Sequence, residues 1–143
     1  MKIWCDGAYK PSLNQGGVGI VWVDENNEVV KTFSKGYKKT DTSKVTNQTM
    51  EMLSVMIALN GINESIDNLE IITDSMYVIG GASLGWKRKA NIKLWMKFDE
   101  ILNKAQKLVK NPIVFTHTYG HKDDMYNNLA DELASDASKE FIE

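Results

Sequence analysis

The sequence predicts an α/β chain built on a mixed five-stranded sheet flanked by helices, with its elements in the order βββαβααβα. Three observations lead there. Three strand-like stretches follow one another near the N-terminus with short links. A long apolar segment of helical period comes next, and two short apolar strand patterns then alternate with helical ones. A length of 143 residues is the size of one domain, and no repeat, low-complexity tract or proline-rich linker divides it. A single domain over residues 1–143 is therefore expected.

Residues 2–9 read as the first strand, ended by the turn-forming stretch 10–15. Residues 17–23 and 29–36 give two more strands, joined through Asp24-Glu25-Asn26-Asn27, a natural hairpin turn. Short links between all three predict an antiparallel meander. From about residue 46 to 62 the apolar positions fit a helix, with Met50, Leu53 and Ile57 on one line and Met52, Val55, Leu59 and Ile62 on another. Apolar residues on both flanks predict a buried helix. Residues 69–73 suit an interior strand, and a helix is expected to open at Asp74 and run to Ile79, with Gly80-Gly81 and Gly85 breaking the chain. Residues 91–109 read as a long amphipathic helix stopped by Asn111-Pro112, residues 113–119 as a fifth strand, and residues 125–139 as a final helix.

Composition narrows the class. With 43% hydrophobic and 25% charged residues the chain has ordinary globular material, and the lone Cys5 excludes both an internal disulfide and a zinc site built on several thiolates. No apolar run is long enough to span a bilayer and no signal segment opens the chain, so a cytoplasmic protein with no membrane partner, a monomer, is expected. A net charge of −2 argues against a general polyanion binder. Positive charge is nonetheless concentrated locally, in Lys87, Arg88, Lys89, Lys93 and Lys97, and in Lys35, Lys38, Lys39 and Lys44. Each cluster is open to two readings, a solvated face or a phosphate contact.

Glu51 is the most informative single residue. It is the sole charge between Val45 and Asn63, in a helix apolar nearly all round. Either it lies on a narrow exposed stripe beside Gln48 and Ser54, or it is buried and faces a cation or hydrogen-bond donors. Asn47 lies one turn earlier on the same side. Asp6 interrupts the first strand, where aspartate is disfavoured, and Gly7 beside it permits close approach of a backbone or ligand. Asp74 stands at the carboxyl end of a strand, where sheet-based sites gather, and is equally a favoured helix N-cap. Asp131, with Asn127 one turn before it, repeats the spacing of Asn47 and Glu51. His121 sits in a loop where an imidazole can transfer protons.

In this order and spacing the residues resemble type 1 ribonuclease H over essentially the whole chain. Asp6-Gly7-Ala8 with Gly16-Gly17 and Gly19 is similar to that family's first strand and turn, and Thr46-Asn47-Gln48-Thr49-Met50-Glu51 to its first helix start. Thr73-Asp74-Ser75-Met76-Tyr77-Val78, Gly85-Trp86-Lys87 with Leu94-Trp95, and Gly120-His121 followed by Asn127 and Asp131-Glu132-Leu133-Ala134 continue the match. The resemblance implies a ribonuclease H-like fold and an endonuclease that hydrolyses the RNA strand of an RNA–DNA hybrid, leaving 5′-phosphate and 3′-hydroxyl ends. It implies two Mg²⁺ ions, with Mn²⁺ as a possible substitute. Asp6 would bridge them, Asp131 would help hold the ion that activates water, and Glu51 and Asp74 the ion facing the leaving oxygen. His121 would assist proton movement or product release. Thr46, Asn47 and Asn127 would contact the hybrid, and Trp86 with Lys87, Arg88 and Lys89 would hold the DNA strand.

Elementary electrostatics agrees with a cation site. Two carboxylates about 4 Å apart repel by roughly 4 kcal/mol at an effective dielectric of 20. Hard oxygen ligands suit Mg²⁺ or Mn²⁺ rather than zinc. Met76 stands where the family commonly has glutamine, the loop after His121 lacks a common glycine, and the segment from 77 to 95 is shorter than in long bacterial members. Proofreading exonucleases place a glutamate where Ala8 stands, and type 2 ribonucleases H one where Gly7 stands. A non-catalytic or partner-dependent hybrid-binding module is the alternative from another class; it would be marked by loss of an acid. A plain small-molecule-binding domain would leave Glu51 unexplained.

Overall fold

The structure, a computed structural model, describes residues 1–39, 44–119 and 124–139. Strands β1 (Lys2–Lys10), β2 (Gln15–Val23) and β3 (Val29–Lys38) form the antiparallel meander. They are followed by α1 (Asn47–Asn60), β4 (Glu70–Thr73), α2 (Met76–Ser83), α3 (Ile92–Gln106), β5 (Val114–His117) and α4 (Met125–Ala137). The sheet order is β3-β2-β1-β4-β5, with β4 and β5 parallel to β1, so the mixed five-stranded sheet and the order of elements are as expected. Among the described residues no helix is long and apolar enough to cross a membrane.

Alternation along β1 divides the interior into two layers. Ile3 and Cys5 face the larger core with Ile20 and Trp22 of β2, under α1, α2 and α3, whereas Trp4 faces Val21, Val23 and Ile72 under α4. Every residue of β2 is buried, as a strand covered on both faces requires. The hairpin between β2 and β3 is held by Asp24, whose Oδ1 accepts from the backbone N–H of Asn26 (2.9 Å) and Glu28 (3.0 Å). Helix α1 starts at a reciprocal cap: Thr46 Oγ1 accepts from Thr49 N–H at 3.1 Å, and Thr49 Oγ1 accepts from Thr46 N–H at 2.8 Å.

Two glycines set how closely helices approach the sheet. A Cβ on Gly7 would lie 2.4 Å from the Met50 carbonyl carbon and 2.5 Å from Glu51 N. One on Gly19 would lie 2.2 Å from the Ala130 carbonyl oxygen. Backbone meets backbone at both crossings, so α1 and α4 are clamped directly onto neighbouring strands from opposite faces.

Helix α2 departs from expectation in two ways. Asp74 is not its N-cap: Ser75 is, its Oγ accepting from Val78 N–H at 3.2 Å, which leaves the Asp74 carboxylate outside the helix. Gly80 and Gly81 do not break the chain but lie inside the helix, which runs on to Ser83. Packing outweighs their poor helix propensity. A Cβ on Gly80 would strike the Trp86 ring at 2.0 Å, and one on Gly81 the Trp95 ring at 2.4 Å. Helix α3 ends at Gln106, short of the expected Val109, where Gln106 turns its amide to the carbonyls of Val109 (3.2 Å) and Asn111 (3.0 Å).

Candidate active site

Four acidic side chains, from β1, α1, α4 and the link after β4, meet at one end of the sheet, and backbone register explains why. Trp4 pairs with Ile72 across β1 and β4, so two residues further on Asp6 comes level with Asp74 on strands about 4.8 Å apart. The Gly7 crossing brings Glu51 against β1. Asp6 also pairs with Gly19 across β1 and β2, and the Gly19 crossing brings Ala130, and so Asp131, over the same row. One carboxylate oxygen from each of Asp6, Glu51 and Asp74 lies within 4.8 Å of the others. Asp131 lies near enough to Asp6 to raise its carboxyl.

Asp6 and Glu51 are 3% and 5% exposed, which settles the two readings of Glu51 in favour of burial. Asp74 and Asp131 are exposed. The Gly7 N–H is donated to both buried carboxylates, at 3.0 Å to Asp6 Oδ1 and 3.1 Å to Glu51 Oε2. A single amide does not neutralise two buried acids. Burial, then the like charge of Asp74 and the hydrogen bond and charge of Asp131, push the Asp6 carboxyl up from 3.8 to about 8. Burial and the charges of Asp6 and Asp74 hold Glu51 well above the usual carboxylate range. Asp74 is raised by its partial burial and by Asp131.

Metal-free, the site is thus a store of repulsion. The donor set is all carboxylate oxygen, convergent and partly desolvated, which fits a hard divalent cation. A measurable consequence follows from linkage. Between pH 3.8 and about 8 the folded form keeps a proton on Asp6 that the unfolded chain releases, so stability falls as pH rises through that window. The melting temperature in chelator should therefore drop between about pH 5 and about pH 8, and Mg²⁺ should raise it more at the upper pH. Melting curves indifferent to both pH and Mg²⁺ would contradict the repulsion.

Comparison with known proteins agrees with this geometry. The family model described as RNase H matches residues 1–139. The chain belongs to the ribonuclease H family. It is 30% identical over 151 residues to the Ribonuclease H of Pseudoalteromonas translucida, covering 96% of this chain and 89% of that one. The Ribonuclease H of Clostridium botulinum is also 30% identical, over 158 residues, covering 97% of this chain and 95% of that one. Among solved structures, LC11-RNase H1 in complex with RNA/DNA hybrid superposes with a TM-score of 0.77 at 24% identity, covering 97% of this chain and 96% of that one. The fold is the ribonuclease H fold, and membership of the family makes the chain a nuclease of the hydrolase class.

The other residues singled out in this ribonuclease H are distributed unevenly about the carboxylates. Asn47 is exposed on the first turn of α1, while the Thr46 hydroxyl is engaged in the helix cap. Trp86 is 50% exposed and lies on Gly80, flanked by exposed Lys87 and Lys89. Arg88 is engaged within the protein. Its guanidinium forms a bidentate pair with Asp99 at 2.6 and 2.8 Å, donates to the Gly81 carbonyl at 2.8 Å and lies over the Trp95 ring at 4.3 Å. It braces the segment that carries Trp86. Asn127 is buried, with its N–H capped by Asp124 Oδ1 at 2.9 Å. His121 lies outside the described residues.

Three features escaped the sequence reading. Asp124 caps α4 and its Oδ2 accepts from Trp4 Nε1 (3.4 Å) and Thr118 Oγ1 (3.1 Å), which anchors the helix bearing Asp131. A cleft of about 700 Å³ unites Lys44, Thr49, Asn91, Lys93 and Lys97, drawn from both basic clusters. His117, at the end of β5, sits against the backbone of Asp74. Only the cap on α4 is a local pattern; the bond to Trp4, the cleft and the His117 contact depend on partners distant in the chain.

Proposed function

We propose that this chain is an endonuclease that hydrolyses the RNA strand of RNA–DNA hybrids using two divalent ions, Mg²⁺ with Mn²⁺ as a substitute, and leaves 5′-phosphate and 3′-hydroxyl ends. The observation that carries the reading is the convergence of Asp6, Glu51 and Asp74 within 4.8 Å, with Asp131 near enough to raise the Asp6 carboxyl. It is supported by family membership and by the likeness to a ribonuclease H1 solved with a hybrid bound.

Asp6, Glu51, Asp74 and Asp131 hold the ions. Bound there, two such ions supply Lewis-acid stabilisation of the attacking and leaving oxygens of an in-line displacement at phosphorus. The buried pair, Asp6 and Glu51, is oriented through the Gly7 N–H and excludes bulk water on the protein side. Asn47, exposed beside this cluster, contacts the RNA strand, where the 2′-hydroxyl distinguishes RNA from DNA. His121 assists proton transfer or product release. The cleft with Lys44, Lys93 and Lys97 and the Trp86 platform with Lys87 and Lys89 receive the DNA strand through phosphate contacts and stacking.

The test is a panel of end-labelled substrates of one sequence: hybrid, double-stranded RNA and double-stranded DNA, each with Mg²⁺, Mn²⁺ or chelator, with product ends mapped. Cleavage confined to the RNA of the hybrid and dependent on the metal is expected; equal cleavage of all three duplexes would refute the specificity. The stacking role makes a separate prediction. Trp86→Ala should raise KM about tenfold with little change in kcat, on the scale of one base–aromatic stack, and unchanged steady-state kinetics would remove Trp86 from the interface.

A further inference from the structure

The three clustered acids are not equally restrained. Asp6 and Glu51 are buried and share the Gly7 N–H. Asp74 is exposed and lies on the two-residue link between β4 and α2. The Asp74–Ser75 peptide is held at its N–H, which reaches Thr73 Oγ1 at 3.1 Å, and the Ser75 hydroxyl caps α2. The carbonyl end of the same peptide is held from the adjoining strand. His117 pairs with Thr73 across the parallel β4–β5 ladder, and its Nε2 lies 3.1 Å from the Asp74 carbonyl oxygen. A carbonyl only accepts, so Nε2 carries the hydrogen and donates it. The imidazole is steadied by an edge-on contact with Tyr119, with ring centroids 4.4 Å apart at 79°.

We propose that His117 is a positioning residue for Asp74: by fixing the Asp74 carbonyl through Nε2–H it holds the carboxylate of the same residue toward Asp6 and Glu51. The proposal rests on the metal-site reading above. Without the His117 hydrogen bond the Asp74–Ser75 peptide keeps only the Ser75 N–H bond to Thr73, and the exposed carboxylate swings more widely between the cluster and solvent. Partners one step removed from a metal commonly change its affinity by about 10–100-fold when lost. A brace that merely joined β4 to β5 would affect melting and leave metal binding alone.

The experiment titrates Mg²⁺ by calorimetry into the substrate-free full chain, with melting curves in chelator recorded alongside. His117→Phe keeps an aromatic ring without a donor, and His117→Leu repeats the test should that variant fail to fold. His117→Gln restores a side-chain N–H. Expected are Mg²⁺ binding about tenfold weaker in His117→Phe, binding within about twofold of wild type in His117→Gln, and no added loss when His117→Phe is combined with Asp74→Asn. Wild-type Mg²⁺ affinity in His117→Phe, or a loss in His117→Gln as large as in His117→Phe, overturns the proposal. So does a fall in kcat with Mg²⁺ affinity intact, which would place His117 on the substrate. If wild type binds no Mg²⁺, or Asp74→Asn binds it as wild type does, the metal site itself fails and the proposal with it.

Discussion

Asp6→Asn should lower single-turnover cleavage of a hybrid by roughly 1,000-fold or more, the scale on which a principal transition-state-stabilising group is lost, while raising the melting temperature of the metal-free protein. Both effects have one cause. Asp6 lies nearly buried between Glu51, Asp74 and Asp131, and its carboxyl is pushed up to about 8. An amide of the same shape removes a like charge from the centre of the cluster and with it one of the carboxylates proposed to hold the ions. The isosteric change keeps an oxygen to accept from Gly7, so the fold survives. For a chain of this size 1 kcal/mol moves the melting temperature by roughly 3–5 °C, and a gain of that order is expected near pH 8 and is smaller near pH 5. Near-normal turnover would remove Asp6 from the site, and an unchanged melting temperature would show that the carboxylates do not repel.

Gly7→Ala should damage both stability and chemistry from a position with no chemistry of its own. The added methyl would stand 2.4 Å from the Met50 carbonyl carbon, 2.5 Å from Glu51 N and 2.7 Å from the Met50 carbonyl oxygen. All three are backbone atoms, so no rotamer change relieves the clash and α1 must move off β1 as a body. Overpacking of this kind costs about 2–3 kcal/mol. The displacement carries Glu51 away from Asp6, and a misplacement of about 1 Å in a catalytic group costs on the order of 100-fold in rate. Gly61→Ala is the control: its nearest neighbours, the carbonyl oxygens of Ala58 and Ile57, lie at an ordinary 3.5 Å, and stability and turnover should stay close to wild type. Equal melting temperatures for the two variants would show that the crossing is not the constraint it is taken to be.

How much of this was legible in the sequence depended on whether the deciding contact is local. Strand alternation and the apolar period of α1 are local, and they returned the order of elements. Glu51 was legible because an isolated charge in an apolar helix demands a partner. Asp74 is open to two readings in the sequence, a cap or a site carboxylate, because two cap-competent residues stand in a row; Ser75 takes the cap. Gly80 and Gly81 read as breakers, since the rings of Trp86 and Trp95 that require their missing side chains lie beyond the helix. Gln15 reads as turn and Gly16 falls outside the expected strand, yet they open β2, where a Cβ on Gly16 would lie 2.6 Å from the Met50 side chain. Arg88 read as one more charge in a basic run; its partner Asp99 stands on α3. The cap that Asp124 makes on Asn127 is local, but its Oδ2 bond to Trp4 and the contact of His117 with the Asp74 carbonyl join residues far apart in the chain, and no spacing rule points to those.

The central claim is that these carboxylates form one cation-binding site. Calorimetric titration of Mg²⁺ into the substrate-free protein at neutral pH, for wild type and for Asp6→Asn, tests it most directly. Saturable binding by wild type that is lost in Asp6→Asn is the predicted result; superimposable titrations for the two proteins would contradict it.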